Sequence, residues 1–279
     1  MGESTPVCRV SSLYRYPVKS MAGEELRSGE ITPTGLLGDR AYGLVDRETG
    51  RVVSAKRPRR WAGILDYRAA FSASPVADRP VPALRVTLPD GSAHDSTDRP
   101  GLDERLSEGL GRPVALESVS PEGAAFEYHW PDMDGLVYKG RQYRDEITEH
   151  PIPPGTFFDS SPLLILTTAS LDRLGALISG SACDARRFRP NIVIESPAGA
   201  EGFVENDWSG RTLRIGDQVC LEVTKPCIRC VMVTLAQGDL PKDPRVLKAA
   251  FQHNEGNLGM NARVLQPGRI EVGDSVRVE

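Results

Sequence analysis

A chain of 279 residues, 39% hydrophobic and 26% charged, is long enough for one large or two modest cores, and this balance weighs against disordered and membrane-embedded classes. The formal net charge of -4 carries no nucleic-acid signal, and no segment approaches the run of about 20 apolar residues that spans a bilayer. Five cysteines (Cys8, Cys183, Cys220, Cys227, Cys230) form an odd count without framework spacing, and the N-terminus lacks a basic stretch followed by an apolar run. A reducing, cytoplasmic setting is expected, with neither nucleic acid nor membrane as a partner.

In chain order, the spacing predicts short alternating strands bounded by glycine and proline, the pattern of a β-rich barrel or sandwich. The first clear unit is a hairpin from Arg40 to Lys56, with arms Ala41–Val45 and Arg51–Ala55 around Asp46-Arg47-Glu48-Thr49-Gly50. A basic cluster, Lys56-Arg57-Pro58-Arg59-Arg60, follows it and reads as a solvated turn or as a patch facing a small phosphate. Leu84–Leu88 is a further strand before Pro89-Asp90-Gly91. Leu102, Leu106 and Leu110 then predict a short helix stopped by Gly111.

Between Ser118 and Gly155 neither period holds for long, so a loop is expected there. Its aromatic residues Phe126, Tyr128, His129, Trp130, Tyr138 and Tyr143 are candidate pocket walls. Thr168 or Ser170 caps a helix through Leu171, Leu174 and Leu177 that ends near Gly180, and Asp243-Pro244 starts another bearing Val246, Leu247, Ala250 and Phe251. Ile215-Gly216-Asp217-Gln218-Val219 and Val272-Gly273-Asp274-Ser275-Val276 repeat one strand-turn-strand phrase that closes two edges of one barrel. The fold class is therefore mainly β (α+β) with few short helices. The chain divides near residue 118 into a smaller β-rich part, 1–118, and a larger part, 119–279, with 119–155 as the loop at the boundary.

The chemistry concentrates in Lys225-Pro226-Cys227-Ile228-Arg229-Cys230. A cation beside a thiol favours the thiolate, the form that binds a soft metal or acts as a nucleophile. A zinc site needs four ligands, and there is no second C-x-x-C or histidine pair to complete one. A thioredoxin-like dithiol lacks its βαβ context, and small apolar fillers at a strand end are the bland alternative. Three further islands carry cations and donors in constrained turns: Tyr16-Pro17-Val18-Lys19-Ser20, Gly35-Leu36-Leu37-Gly38-Asp39-Arg40 and Arg186-Arg187-Phe188-Arg189-Pro190-Asn191. Each suits a phosphate or a polar heterocycle.

Taken in order, Lys19-Ser20, Gly38-Asp39-Arg40, Phe158-Asp159-Ser160-Ser161-Pro162, Phe188-Arg189-Pro190-Asn191 and Cys227-Ile228-Arg229-Cys230 resemble the MOSC-domain family that binds the molybdenum cofactor. The Val272–Val276 ending agrees. The likeness covers nearly the whole chain and is greatest to the branch with an N-terminal MOSC-type β-barrel domain, which includes the mitochondrial amidoxime-reducing component. It implies a MOSC-type N-terminal domain over 1–118 and a MOSC domain over 119–279.

The resemblance also implies the site. Cys230 corresponds to the molybdenum ligand and is the expected catalytic centre, with Cys227 beside it. Lys19, Ser20, Arg40, Arg189 and Asn191 match positions that hold the pterin and its phosphate, and Ser160, Ser161 and Arg229 are expected as further cofactor contacts. Asp159 corresponds to an acid near the metal, and is expected either to pass protons to a leaving oxygen or to orient an arginine or a bound water. The implied cofactor is the molybdenum cofactor, Mo-molybdopterin, with pyridoxal phosphate not expected.

The implied activity is reduction of small N-hydroxylated substrates (amidoximes, hydroxylamines, N-oxides) by oxygen-atom transfer to molybdenum. Electrons would come from a separate ferredoxin, flavin reductase or cytochrome b5-like protein, since the chain has no cluster-ligating cysteine run. The alternative is a cofactor carrier, or a carrier of persulfide sulfur on Cys230.

Overall fold

The computed structural model describes residues 8–131, 137–138, 141–142, 145–178 and 183–279. Seven strands close into a barrel: Cys8–Arg15, Ile192–Glu195, Leu163–Thr167, Asn257–Gln266, Val219–Ile228, Thr212–Ile215 and Ser275–Val278, the last pairing back to the first. Closure pairs every strand on both sides and leaves no open edge in the ring. The inward residues of each strand, among them Val10, Leu13, Ile165, Ile194, Leu213, Leu221, Val223 and Met260, fill the barrel as one apolar core. All but one of the barrel pairings are antiparallel. The exception is Leu163–Thr167 beside Ile192–Glu195, with Ile165 opposite Ile192, and the helix Thr168–Leu177 lies in the crossover that parallel strands require.

The first half builds a second core. Leu44, Val53, Trp61, Tyr67, Leu84, Val86, Leu102, Leu106 and Val114 pack together there, under the sheet Arg68–Phe71, Leu84–Thr87, Ala93–Asp95 and the pair Gly43–Asp46 with Val114–Glu117. The two cores are laced by the chain itself. The N-terminal strand Cys8–Arg15 belongs to the barrel of later strands, and Gly268–Glu271 pairs with Ser28–Thr32 from the first half. The fold is mainly β, with three α-helices among the described residues.

The predicted helices form where their caps lie. Arg99–Leu110 starts at Asp98, whose carboxylate accepts from the Gly101 N–H, and stops at left-handed Gly111. Thr168–Leu177 is capped by Thr167, one residue before the expected cap, while Gly180 lies outside the described residues. Arg245–Asn254 follows Asp243-Pro244 and buries Val246, Leu247, Ala250 and Phe251.

Three expectations change. The Arg40–Lys56 hairpin keeps only its first arm as a strand. Gly43–Asp46 pairs with Val114–Glu117, while the return arm meets it at a single bridge, Val45 to Val52, flanked by Asp46 N–H to the Arg51 carbonyl and Val53 N–H to the Leu44 carbonyl; on its other side the Val52 N–H donates to the Ala125 carbonyl. The expected 119–155 loop contains a hairpin, Ala125–Trp130 with Glu146–Pro151. Of the two turn phrases, Ile215–Val219 joins two barrel strands as expected, but Val272–Val276 leads into the barrel from the small sheet formed with Ser28–Thr32.

One polar group lies deep in the second half. Glu205 is fully buried; its Oε2 accepts from the Thr167 and Ser170 hydroxyls and its Oε1 has no partner. Burial raises its pKa above the ordinary carboxylate value, and the two hydroxyls only partly offset that. The folded state therefore binds this proton more tightly than the unfolded chain does. Stability carried by this group is complete at acidic pH and falls as pH rises from the ordinary carboxylate range. Glu205→Gln is expected to raise the melting temperature at pH 8 by about 2–4 °C, the shift that about 1 kcal/mol produces in a chain of this size. The gain should shrink towards pH 4; an equal gain at both pH values would contradict a buried, proton-linked carboxyl.

Candidate functional site

A cavity of about 580 Å3 opens beside the barrel, and all five islands reach it. The structure brings Lys19, Ser20, Arg40, Asp159, Ser160, Ser161, Arg189, Asn191, Cys227, Arg229 and Cys230 to its lining, although they are scattered over more than 200 residues of chain. Phe126, Tyr128 and Trp130 from the unexpected hairpin form one wall. Of the other aromatic candidates, His129 faces away and pairs with Asp145, and Tyr143 and the side chain of Tyr138 lie outside the described residues.

The backbone is bent to deliver three of these residues. Ser20, Arg40 and Arg189 have φ of 69°, 47° and 54°, three of the five non-glycine residues with positive φ among the described residues. Such a conformation costs on the order of 1–3 kcal/mol for a side chain with a Cβ, and it persists where surrounding contacts fix it. Here the contacts are visible. The Ser20 Oγ accepts from the Ala55 N–H at 3.0 Å, Arg40 pairs with buried Asp39, and Asp39 also accepts from the Tyr16 N–H at 2.8 Å.

The charges are unequal. Lys19, Arg40, Lys56, Arg187, Arg189, Lys225 and Arg229 border the cavity, and Asp159 is the sole carboxylate among the described residues that do so. Asp159 receives Lys19 on one oxygen and Lys56 on the other, the latter at 2.8 Å. Both ammonium groups lie over the Phe126 ring, at 4.7 and 4.8 Å, and Lys56 also over Tyr128 at 5.0 Å. Burial would raise the Asp159 pKa, but the two lysines overcome it and hold this carboxyl well below the ordinary range. Burial lowers Lys19 to about 8, with Asp159 opposing and the Lys56 charge adding to the fall. A proton at this spot near neutral pH therefore sits on lysine and not on Asp159.

Arg189 and Arg40 flank Tyr16, their guanidinium carbons 4.1 and 4.7 Å from its ring centre. Arg189 donates through Nη1 to the Met21 carbonyl at 2.6 Å, while its buried Nη2 has no partner. Burial and the like charge of Arg40 lower its pKa to about 10. These are the effects of cations crowded together and withdrawn from water.

Other site residues build the frame. Asn191 is buried and links two barrel strands, accepting from the Leu164 N–H and donating to the Tyr14 carbonyl. Ser161 donates to the Ala262 carbonyl at 3.1 Å. Ser160 is exposed at the rim. Arg229 turns away from the thiols to clamp the Leu258 and Phe188 carbonyls. Gly259, at φ 75°, admits it, since a Cβ there would stand 3.3 Å from the guanidinium and 2.5 Å from the Ile165 carbonyl. Arg187, fully buried, similarly clamps the Leu235 and Pro241 carbonyls and pins the loop after Cys230.

The cation that acts on the Cys230 thiol is consequently Lys56 more than the adjacent Arg229. Burial raises the Cys230 pKa, and Lys56 is the strongest influence lowering it. Sequence reasoning had Lys56 in view only as part of a basic cluster, and its place directly after the buried Val52-Val53-Ser54-Ala55 run was the available signal.

The chain belongs to the MOSC-domain family. The MOSC N-terminal beta barrel domain profile matches residues 7–66 and the MOSC domain profile residues 153–277. Among curated relatives, mitochondrial amidoxime-reducing component 1 of Mus musculus is 28% identical over 299 residues, covering 96% of this chain and 81% of that protein. Mitochondrial amidoxime reducing component 2 of Macaca fascicularis is 29% identical over 243 residues, with 81% and 66% coverage. A molybdenum cofactor sulfurase of Oryza sativa subsp. japonica is 28% identical over 276 residues, 89% of this chain and 31% of its own. The chain thus spans about a third of the length of the sulfurases it matches. A solved structure, the YUAD protein from Bacillus subtilis, aligns over 98% of this chain and 95% of its own with 10% identity and a TM-score of 0.47. Among the described residues no helix is long and apolar enough to cross a membrane.

Lys56→Met removes the main cation acting on Cys230. In cofactor-free protein, alkylation of Cys230 by iodoacetamide at pH 7.5, followed peptide by peptide, is expected to slow roughly threefold or more as the thiolate fraction falls. An unchanged rate would show that another group sets the state of the thiol.

Proposed function

We propose that this protein holds the molybdenum cofactor in the cavity and reduces small N-hydroxylated compounds with it. The observation that carries this reading is the convergence of the cationic turns and two thiols on one cavity in which a buried guanidinium nitrogen of Arg189 has no partner. A doubly charged phosphate and an electron-rich heterocycle fit that donor set. Arg40, Arg189 and Lys19 would take the anionic groups, with Ser20 and Ser160 at the lining. Asn191, Ser161 and Arg229 hold the frame through the carbonyl and amide contacts already described. Cys230 would be the protein ligand to molybdenum, a thiolate matched to a soft metal. When bound, the cofactor supplies two-electron oxygen-atom transfer.

The chain's own groups then manage protons and water. Each turnover consumes two electrons and two protons and releases the substrate oxygen as water. Asp159, held ionised by Lys19 and Lys56, orients the two ammonium groups towards the reacting end of the cavity, and Lys19, lowered to about 8, is the nearby proton reservoir. Electrons come from a separate redox protein of the ferredoxin, flavin reductase or cytochrome b5-like class, and the setting is cytoplasmic. The part before about residue 118 serves as a domain that supplies Lys19, Ser20, Arg40 and Lys56 to the cavity of a MOSC domain that follows it.

A second reading keeps the same cavity and gives the protein a carrier role, for the cofactor or for sulfur on Cys230. It is supported by the likeness to proteins named molybdenum cofactor sulfurase. Cyanide-labile sulfur on Cys230 without reductase turnover would favour it.

The test is molybdenum content and benzamidoxime reduction, with a reduced viologen as donor, for protein made in a host that synthesises the cofactor. Cys230→Ala is expected to lose both, Cys227→Ala to retain most of both, and Arg189→Ala to lose pterin at unchanged substrate preference. Equal loss in the two cysteine variants would remove Cys230 from its role as sole protein ligand.

A further inference from the structure

We propose that His150 is a substrate-binding residue, a neutral imidazole whose proton is fixed on Nδ1 by a Trp130–Thr148 relay and offered to an acceptor atom of the substrate. This rests on the reading of the cavity as a substrate site. The hairpin Ala125–Trp130 and Glu146–Pro151 pairs Phe126 with His150 and Tyr128 with Thr148. Alternation along the two strands puts Phe126, Tyr128, Trp130, Thr148 and His150 on one face. That face borders the cavity: the His150 ring stacks on Phe126 with centroids 5.8 Å apart, and Tyr128 stacks on Trp130 at 4.1 Å. Lys19 and Lys56 cover Phe126 and Tyr128, and His150 stands beside them at the cavity.

The hydrogen bonds around Thr148 bear on which nitrogen of His150 carries the proton. Trp130 Nε1, which can only donate, donates to the Thr148 Oγ1 at 2.9 Å. The same oxygen lies 2.9 Å from His150 Nε2. We assign the single hydroxyl proton of Thr148 to Nε2, which leaves the imidazole proton on Nδ1; the competing tautomer, with Nε2–H donating to the same oxygen, is the one the spectrum below distinguishes. Nδ1 has no hydrogen-bond partner among the described residues and is not sealed from solvent. The charged groups that face the ring come from two other segments: Lys56, and Asp159 with its second partner Lys19. Burial lowers the His150 pKa, Lys56 lowers it further and Asp159 opposes, so the ring remains neutral near pH 7 and the donor is present throughout the neutral range. A fixed neutral donor suits an oxygen or imine nitrogen lone pair, and it discriminates against ligands that offer only N–H groups at that position.

The experiment uses the full chain. It contains four histidines, so a long-range 1H–15N spectrum at pH 7.5 resolves His150 by its disappearance in His150→Phe. The expected wild-type form is Nδ1-protonated, and Thr148→Val should move the ring towards the Nε2-protonated form that an unconstrained histidine favours. Adding benzamidoxime should shift the His150 Nδ1 resonance.

In kinetics, His150→Phe should lower kcat/KM for benzamidoxime about tenfold at unchanged molybdenum content, and His150→Asn, which retains a donor near Nδ1, should recover most of it. An Nε2-protonated wild type, no shift with benzamidoxime, or unaltered kcat/KM in fully loaded His150→Phe would each overturn the assignment. Wild-type protein without molybdenum or turnover would defeat the functional reading instead, and the spectrum with benzamidoxime would still decide the fate of His150.

Discussion

Positive charge confined in a partly buried cavity is the constraint on which the site depends. Seven cationic side chains border one space, and the carboxylate among them is already shared by Lys19 and Lys56. Like charges at low dielectric repel, and each loses hydration as it is buried. The protein answers in three ways. It turns Arg187 and Arg229 onto backbone carbonyls, spreads Lys19, Lys56, Arg40 and Arg189 over aromatic rings, and lets Lys19 and Arg189 fall to about 8 and about 10. What is left over among the seven is two buried guanidinium nitrogens with no partner, Arg189 Nη2 and Arg187 Nε, and these are the donors on which the proposed anion-binding role rests.

The fold makes this arrangement possible by splitting the site across two cores. The closed barrel contributes the thiol strand Val219–Ile228 and the buried frame residue Asn191. The first half brings Lys19, Ser20, Arg40 and Lys56 from turns beside its own core. Because Cys8–Arg15 is itself a barrel strand, the turn that follows it, with Lys19 and Ser20, is anchored to the barrel at one end. The left-handed conformations of Ser20, Arg40 and Arg189 are then tolerable, since their neighbours are fixed on both sides.

Much of this was legible in the sequence where signal is local. Gly111 as a helix stop, Pro244 at a helix start and the apolar stripe of Val246, Leu247 and Phe251 are one-turn patterns, and they fold as read. The five islands could be read together because each is a short polar motif in a constrained turn. What escaped was non-local. Phe126, Tyr128 and Trp130 alternate with Glu127 and His129 as a strand does, but the long insertion before the partner strand Glu146–Pro151 hid the pairing. Arg229 looked like the cation for the thiols because it is adjacent in sequence, yet the chain turns it to the Leu258 and Phe188 carbonyls and brings in Lys56 from 174 residues away (230 − 56). Adjacency along the chain is a poor guide to which charge a buried thiol meets.

If uncompensated cations define the cavity, a multivalent anion must stabilise the cofactor-free protein. The most direct measurement is its thermal melting with pyrophosphate against chloride at matched ionic strength, for wild type and for Arg189→Met. The account predicts a rise in wild type that grows with pyrophosphate concentration as mass action requires, about 2.7 kcal/mol at a hundredfold excess over the dissociation constant, and a much smaller rise in Arg189→Met. Identical melting in pyrophosphate and chloride would contradict it.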